Sequence, residues 1–479
     1  MIDFISWIFS TGETTLAIIF GLNAVFIAFV ILLENRTPER TLTWLFVLFT
    51  FPVIGFILYL FFGHDWHHRR SRRRLRASYA ATRAWRTIAD RSTLCHGGTL
   101  LESDLRKLAV STTGIPTSCN NQATVLTDAH TKYPRLIAAL RRAKSSIDVE
   151  YFIFRYDTIG KEIVDILIER AQAGVRVRFM VDGYGSLGFG RKAFRRMRAA
   201  GIKATYFAPL ITTFSFFKAN YRDHRKIVII DGQIAFTGGI NIGDEYLGKS
   251  KIGPWRDTSL EIRGPAVADL AALFNEAWFK TTQSPNPPLP SAIPPAGDQC
   301  LNVIPSGPTT DWYAIREVFL AMIHGARRSI RIETPYFIPD TSILDALINA
   351  ALRGVDVTII FPKRPDSLML RWVAFTYIGE VVRAGGRAFE YPAGFIHQKV
   401  IIADDEVATL GTCNIDIRSF MLDFEVNILM SHPDTIRHLL DDFVADLRLS
   451  NEITFEQFTD RPFLRRIAES LARLVAPLL

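Results

Sequence analysis

Two uninterrupted apolar runs open the chain. After them the pattern changes to alternating helix-like and strand-like stretches. Thr14 to Leu33 holds 20 residues without a charge and Thr41 to Gly63 another 23. As helices, each is long enough to cross the ~30 Å hydrocarbon core of a bilayer. The connector "ENRTPER" is short, so the pattern predicts a two-helix hairpin. A cleaved secretory signal fits the first run poorly: Asp3 and Glu13 precede it with no Lys or Arg, and no small-residue cleavage site follows. From residue 116 the chain repeats itself. "RAKSSIDVEYFIF" (Arg142 to Phe154) is echoed by "GARRSIRIETPYFI" (Gly325 to Ile338). Then "GKEIVDILIERAQAGVRVRFMVDG" and "TSILDALINAALRGVDVTIIFPKR" each read as an amphipathic helix, a stop at Gly174 or Gly354, and a β-branched strand. Helix–strand–helix–strand order, given twice, predicts two homologous α/β lobes, each a mixed sheet flanked by helices, packed about a pseudo-two-fold axis. The predicted organisation is a transmembrane hairpin at 1–63, a basic juxtamembrane segment at 64–115, a first lobe at 116–280, a Pro-rich linker at 281–299, a second lobe at 300–453 and an amphipathic tail at 454–479.

Composition sharpens the membrane reading. Hydrophobic residues make up 48% of the chain and mean hydropathy is +0.14, high for a purely soluble protein. The net charge of +8 is local: Arg69, Arg70, Arg72, Arg73, Arg74 and Arg76 carry six of those charges. A basic block beside an apolar segment favours an anionic lipid surface over nucleic acid. By the positive-inside rule the same block puts the rest of the chain in the cytoplasm. The four cysteines, Cys95, Cys119, Cys300 and Cys413, show no C-x-x-C spacing. They read as reduced, mostly buried thiols of a cytosolic domain, with neither a disulfide framework nor a metal site.

Each repeat ends in the same constellation. The first reads His224, Lys226, Asp231, Gly238, Asn241, and the second His397, Lys399, Asp404, Gly411, Asn414, at identical offsets. Alternate residues of a strand share a face, so each His and Lys would point into one space. Packed face to face, the lobes would bring two His, two Lys and two Asn together. Two ammonium groups repel a metal cation and suit an anion. With two amides they fit the non-bridging oxygens of a phosphodiester and its more charged transition state. One imidazole would attack phosphorus and form a phosphohistidine; the other would protonate the leaving oxygen and then deprotonate an incoming hydroxyl. No cofactor is needed.

Asp231 and Asp404 lie at an odd offset from their histidines, so they read as strand-end and hairpin residues. The carboxylates expected to orient the imidazoles are Asp257 in "PWRDTSLEIRG" and Glu425 in "LDFEVNILM". Gly238, Gly239 and Gly411 are expected to let backbone approach the phosphate. His64, His67 and His68 read as interfacial, and His96, His130, His324, His432 and His438 have no partner in the repeat.

The paired H-x-K-x-x-x-x-D motifs resemble the phospholipase D superfamily. With the hairpin, "NYRDHRKIVIIDGQIAFTGGINIGDEY", "PWRDT", "FIHQKVIIADDEVATLGTCNIDIRSFMLDFEVN" and the basic–apolar tail, the chain is similar to bacterial cardiolipin synthases over nearly its whole length. The resemblance implies two phospholipase D-like lobes and transfer of a phosphatidyl group from one phosphatidylglycerol to the hydroxyl of another, releasing glycerol. It implies catalytic pairs His224/Lys226 and His397/Lys399, supporting acids Asp231, Asp404, Asp257 and Glu425, and amides Asn241 and Asn414. It leans toward His224 as nucleophile. Arg222 and Arg225 beside His224 point the same way, since positive charge lowers an imidazole's pKa. His397 would then be the acid, with Glu425 the stronger candidate to raise its pKa.

The expected partners are phosphatidylglycerol and other anionic phospholipids; no oligomeric state follows from the sequence. A hydrolase of phospholipids or nucleic acid on the same scaffold needs only water at the second step. The hairpin and the lack of a basic–aromatic stripe argue against a nuclease, and intact histidines in both lobes argue against a retired scaffold. In the tail, Phe463, Leu464, Ile467, Ala468, Leu471, Leu474 and Val475 share a helical face with Arg465, Arg466 and Arg473 off it. That face suits the bilayer interface or the enzyme's own body.

Overall fold

The computed structural model describes residues 20–23, 25–27, 38–51, 54–56, 59, 98–208, 221–288 and 293–474. The chain divides into two compact units, Met1–Arg73 and Arg74–Leu479. In the first, a helix runs Pro38–Thr50. Tyr59 packs edge-on against Phe26 and Trp44, and Asn23 Nδ2 donates to Leu48 O at 2.9 Å. Among the described residues no helix is long and apolar enough to cross a membrane. Most of Thr14–Leu33, the later part of Thr41–Gly63 and the whole Arg69–Arg76 block lie outside the described residues.

The second unit holds both lobes. The first contributes β1 (Ser118–Leu126), β2 (Ser146–Tyr151), β3 (Arg176–Asp182), β4 (Lys203–Phe207), β5 (Ile227–Ile230), β6 (Ile234–Gly238), β7 (Trp255–Arg256) and β8 (Ser259–Arg263). The second contributes β9 (Gln299–Ser306), β10 (Ser329–Glu333), β11 (Phe337–Ile338), β12 (Asp356–Pro362), β13 (Arg387–Tyr391), β14 (Phe395–Ile396), β15 (Val400–Ala403), β16 (Val407–Gly411), β17 (Ile415–Asp416), β18 (Glu425–Met430) and β19 (Asn451–Glu452). Fifteen of these form one mixed sheet. Outward from the central β1–β9 pair, one half runs β1-β8-β6-β5-β2-β3-β4 and the other β9-β18-β16-β15-β10-β12-β13, closed by β19. The two halves correspond strand for strand, so the internal repeat is a structural repeat.

Local chemistry explains each crossover. The helix Thr158–Gln172 starts where Asp157 accepts from Gly160 N, and Thr341–Leu352 where Asp340 accepts from Ile343 N. Such carboxylate caps satisfy the free N–H groups of a first helical turn. Gly174 (φ 91°) and Gly354 (φ 84°) end them in the left-handed region open to glycine. The returning strands β3 and β12 then pair parallel to β2 and β10. Ile159, Ile163, Val164, Ile166 and Leu167 are the buried stripe of the first helix, against Ile147, Val149, Val177 and Phe179 of the sheet.

The cysteine expectation fails for one pair. Cys119 and Cys300 form a disulfide with Cα atoms 4.1 Å apart. They stand on β1 and β9, neighbours across the centre of the sheet, so the bridge ties lobe to lobe. A separation of 181 residues hid this in the sequence. Cys413 is a buried free thiol, as expected, and Cys95 lies outside the described residues.

Candidate active site

The catalytic motifs sit just ahead of the short buried strands β5 and β15 rather than within them. Each is stitched to the other lobe by backbone hydrogen bonds. His224 N donates to Phe424 O at 3.0 Å and Phe424 N to Arg222 O at 2.8 Å. In the mirror arrangement, Phe395 N donates to Pro254 O at 2.9 Å and His397 N to Arg256 O at 2.7 Å. Phe424 directly precedes Glu425, and Arg256 directly precedes Asp257. The stitching therefore carries each carboxylate across the lobe boundary to the opposite histidine.

The side chains follow. His224 Nδ1 lies 2.9 and 3.0 Å from the two carboxylate oxygens of Glu425. His397 Nδ1 lies 2.6 Å from Asp257 Oδ2. Glu425 was expected beside His397; the structure reverses this and gives His397 to Asp257. With Nδ1 engaged, each imidazole keeps Nε2 for chemistry. Lys226 Nζ donates to His224 O at 2.7 Å, and Lys399 Nζ sits 3.0 Å from His397 Nδ1 and 4.0 Å from Asp257. All six of these side chains are buried.

Burial sets the protonation states. It lowers Lys226 to about 7, with Lys399 pushing the same way, and Lys399 to about 8. It drives the His397 pKa down to about 3, helped by Lys399 and opposed by Asp257. His224 is lowered too, by burial and by Lys226 and Lys399 against the pull of Glu425. Arg222 and Arg225, expected to lower it, are not among the largest causes. Arg222 faces Asp182 at 3.8 Å, and Arg225 lies over the Phe424 ring with Nε 3.4 Å from Glu425 O. Although burial opposes ionisation of Asp257 and Glu425, the neighbouring cations hold both carboxyls below their ordinary values: Lys399 and His397 for the first, His224 and Lys226 for the second.

The remaining sequence candidates divide. Asp231, at a left-handed φ of 54°, accepts from the N–H groups of Lys144, Ser145 and Ser146. Asp404, also at 54°, accepts from those of Arg327, Arg328 and Ser329. Both hold the turn that feeds β2 or β10 at the far end of the motif strand. The structural reading of their odd offset fits this placement. The glycines, too, face protein. A Cβ on Gly238 (φ 134°) would strike Ser259, one on Gly239 the Asp257 carboxylate, and one on Gly411 the backbone and side chain at Val426 and Asn427. They admit the neighbouring strand and the orienting acid. Asn241 is engaged within the protein: Nδ2 donates to Tyr246 Oη at 2.9 Å and Oδ1 accepts from Ile153 N at 3.1 Å. Asn414 is buried, and its Oδ1 has no hydrogen-bond partner.

Sequence reasoning missed several residues. Tyr246 Oη lies 3.4 Å from His397 Nδ1 and links it to Asn241. Thr412 Oγ1 donates to Glu425. Lys132, buried and lowered to about 7 by desolvation, donates to Ile240 O at 2.6 Å and is electrostatically coupled to Asp257 and Lys226. Glu150 is buried with neither oxygen meeting a donor. Beneath the His224 segment, desolvation and the adjacent Asp223 carboxyl push its pKa well up. Glu333 is its equivalent against Asp446, whose other contacts are Gln398 and Arg256. The signal was present: each glutamate stands four residues past the matched serine, Ser146 or Ser329. Among the described residues no group of three His, Cys, Asp or Glu is placed to hold a metal ion.

Two lobes contributing one His–Lys pair each, with exchanged carboxylates, define a phosphoryl-transfer centre of the phospholipase D type. The family model "Cardiolipin synthase, PLD-like domain" matches residues 136–278 and 319–447, and "Phospholipase_D-nuclease N-terminal" matches 21–64. A cardiolipin synthase of Alkalihalophilus pseudofirmus is 42% identical over 97% of this chain and 94% of that protein. The major cardiolipin synthase ClsA of Bacillus subtilis is 37% identical over 98% and 100%. Among solved structures, phosphatidylserine synthase of Haemophilus influenzae superposes with a TM-score of 0.58 at 14% identity, covering 78% of this chain and 100% of that one, which is a likeness of fold. This chain belongs to the cardiolipin synthase family of phospholipase D-like phosphatidyltransferases.

Proposed function

We propose that the chain joins two phosphatidylglycerol molecules into cardiolipin and glycerol through a phosphohistidine. The observation that carries this reading is the pair of carboxylate–imidazole contacts exchanged between lobes. It leaves two Nε2 atoms, one to attack and one to move a proton. In the first step, Nε2 of one histidine forms a bond to phosphorus and the bond to the head-group glycerol oxygen breaks. The other histidine gives that oxygen its proton. In the second step, the same histidine takes the proton of a head-group hydroxyl on the second phosphatidylglycerol. The new P–O bond forms and P–N breaks. Lys226 and Lys399 offset charge on the non-bridging oxygens, and the unpartnered Oδ1 of Asn414 marks its buried amide as the further candidate.

Roles within the pair have two readings. The family resemblance supports His224 as nucleophile. The depressed pKa of His397, about 3, supports the reverse, because an attacking imidazole must be neutral and an acid must hold a proton. Rapid acid quench with labelled donor and peptide mapping distinguishes them. The function itself is tested with full-length protein in phosphatidylglycerol vesicles. Cardiolipin and glycerol are expected in equal amounts, and both His224→Ala and His397→Ala lower turnover by at least about 10³-fold while the fold persists. Phosphatidic acid as the main product would mean hydrolysis instead.

We also propose that the N-terminal runs form a membrane hairpin with the lobes on the cytoplasmic face, on the strength of the Arg69–Arg76 cluster. The Cys119–Cys300 bridge favours the opposite face, since disulfides persist in oxidising compartments. Labelling of an introduced Lys192→Cys in intact cells by an impermeant maleimide decides the side.

A further inference from the structure

The C-terminal helix Phe463–Leu474 packs through a side centred on the buried Glu469 and Ala472. Arg465 Nε donates to the buried Glu469 carboxylate at 2.9 Å, and Arg461 reaches the same group. Arg473 donates to Glu380 at 2.6 Å and lies over the Tyr377 ring at 4.4 Å. Ala472 is buried with Val373 and Ile338. These contacts fix the helix on its neighbour, Leu368–Arg383. The opposite side is apolar and points outward: Phe463 is 73% exposed, Leu464 78%, Ile467 41% and Leu471 59%. An amphipathic helix on a protein surface normally does the reverse. Leu368 and Trp372, near the start of the neighbouring helix, are exposed as well.

Charge borders this face. A cavity of about 300 Å³ is lined by Glu380, Arg383, Arg461 and Arg466 with Phe455 and Phe458, the Glu380 carboxylate being held by Arg473. Among the described residues, Arg383 and Arg466 have no carboxylate partner, whereas Arg461 is held by Glu469. Exposed Lys363 and Arg364 precede the neighbouring helix. The same element reaches the catalytic rim. Asp366 accepts from Tyr336 Oη and acts electrostatically on Lys399. Ile338, under Ala472, lies on β11, whose partner β17 begins one residue after Asn414.

We propose that the outward face of Phe463–Leu474, with Leu368 and Trp372, docks on a bilayer carrying anionic head groups, and that Arg383 and Arg466 receive a head-group phosphate at its border. Apolar side chains flanked by guanidinium groups match the layered chemistry of an anionic membrane interface. A second copy of this chain would leave those cations facing each other. The site's rim is joined to this face, so docking presents the pocket to the lipid layer from which its phosphodiester substrates come. The inference rests on the lipid substrate proposed above and adds the surface that meets the membrane.

The test uses the full chain in phosphatidylglycerol-containing vesicles with a photoreactive benzoylphenylalanine at position 464 and, separately, at position 192. Irradiation is expected to yield a lipid adduct from position 464 and none from 192. An adduct to a second copy, or to a peptide of this chain from residues 1–97, overturns the proposal. The Leu464→Asp, Ile467→Asp double variant is expected to lose at least tenfold in vesicle activity. It should stay within twofold of wild type on short-chain phosphatidylglycerol below its critical micelle concentration. Equal loss on both substrates also overturns it. An unmodified enzyme that forms no cardiolipin refutes the proposed reaction but leaves the adduct pattern to judge the surface.

Discussion

His224 and His397 occupy equivalent places in a repeated lobe, yet their surroundings differ. His224 meets both oxygens of one glutamate, which is itself held by Thr412, and packs edge-on against Phe152 with ring centroids 4.8 Å apart. His397 meets one oxygen of an aspartate, has Lys399 3.0 Å away, and is boxed by Trp255 and Phe395 with centroids 5.1 and 5.7 Å away. Burial and a nearby ammonium both disfavour imidazolium at His397. A symmetric motif thus becomes an asymmetric pair, as two-step transfer requires of an attacker and a proton carrier.

The largest expected effect comes from removing the exchanged carboxylates. Asp257→Asn and Glu425→Gln should each lower kcat by about 10²–10⁴-fold, the scale of general acid–base assistance. The damage should cross the lobe boundary. Asp257→Asn should alter the NMR titration of His397 and leave that of His224 within a few tenths of a unit, and Glu425→Gln the converse. An effect confined to the histidine of the mutated lobe would refute the exchange.

A smaller effect is expected in pH dependence. Burial holds Lys226 near 7 and Lys399 near 8, so both are charged below those values and neutral above them. The free enzyme's kcat/KM should therefore decline as pH rises through about 7–8. The bound phosphodiester anion favours the charged lysines, so kcat itself should hold to higher pH. On the acid side both imidazole pKa values are lowered, so the limb set by the attacking histidine should lie below the ordinary histidine range. Stopped-flow measurement of both parameters from pH 5 to 10 checks this; coincident alkaline limbs would contradict the lysine assignment.

The smallest effect lies in the turn carboxylates. Asp404→Asn weakens three backbone hydrogen bonds at a mostly buried site and should cost about 1–3 kcal/mol, with Asp231→Asn costing less because that group is more exposed to solvent. Specific activity of the remaining folded enzyme should change less than twofold. Both folded pKa values lie below the ordinary carboxylate value. The stabilisation is thus fully present above about pH 4 and lost as pH falls through the folded pKa. Thermal melts from pH 2.5 to 7 should show a shallower acid decline in the Asn variants. Loss of activity without loss of stability would return these aspartates to the catalytic set.

Much of this was legible along the chain because it is periodic. The α/β repeat, the matched His–Lys pairs and the special place of Asp231 and Asp404 follow from spacing, since strand and helix periods fix which side chains share a face. Sequence also singled out Asp257 and Glu425 as the orienting acids. It could not say which histidine each serves, because that depends on backbone pairing between segments 201 and 140 residues apart, Asp223 with Phe424 and Phe395 with Trp255. The same holds for the Cys119–Cys300 bridge across β1 and β9 and for the reason Gly239 lacks a side chain, which is the aspartate between β7 and β8. The tail shows the division most plainly. Its sequence determined that one helical face is apolar; only packing against Leu368–Arg383 decided that this face turns outward, because the ion pairs of Glu469 and Glu380 hold the opposite side in.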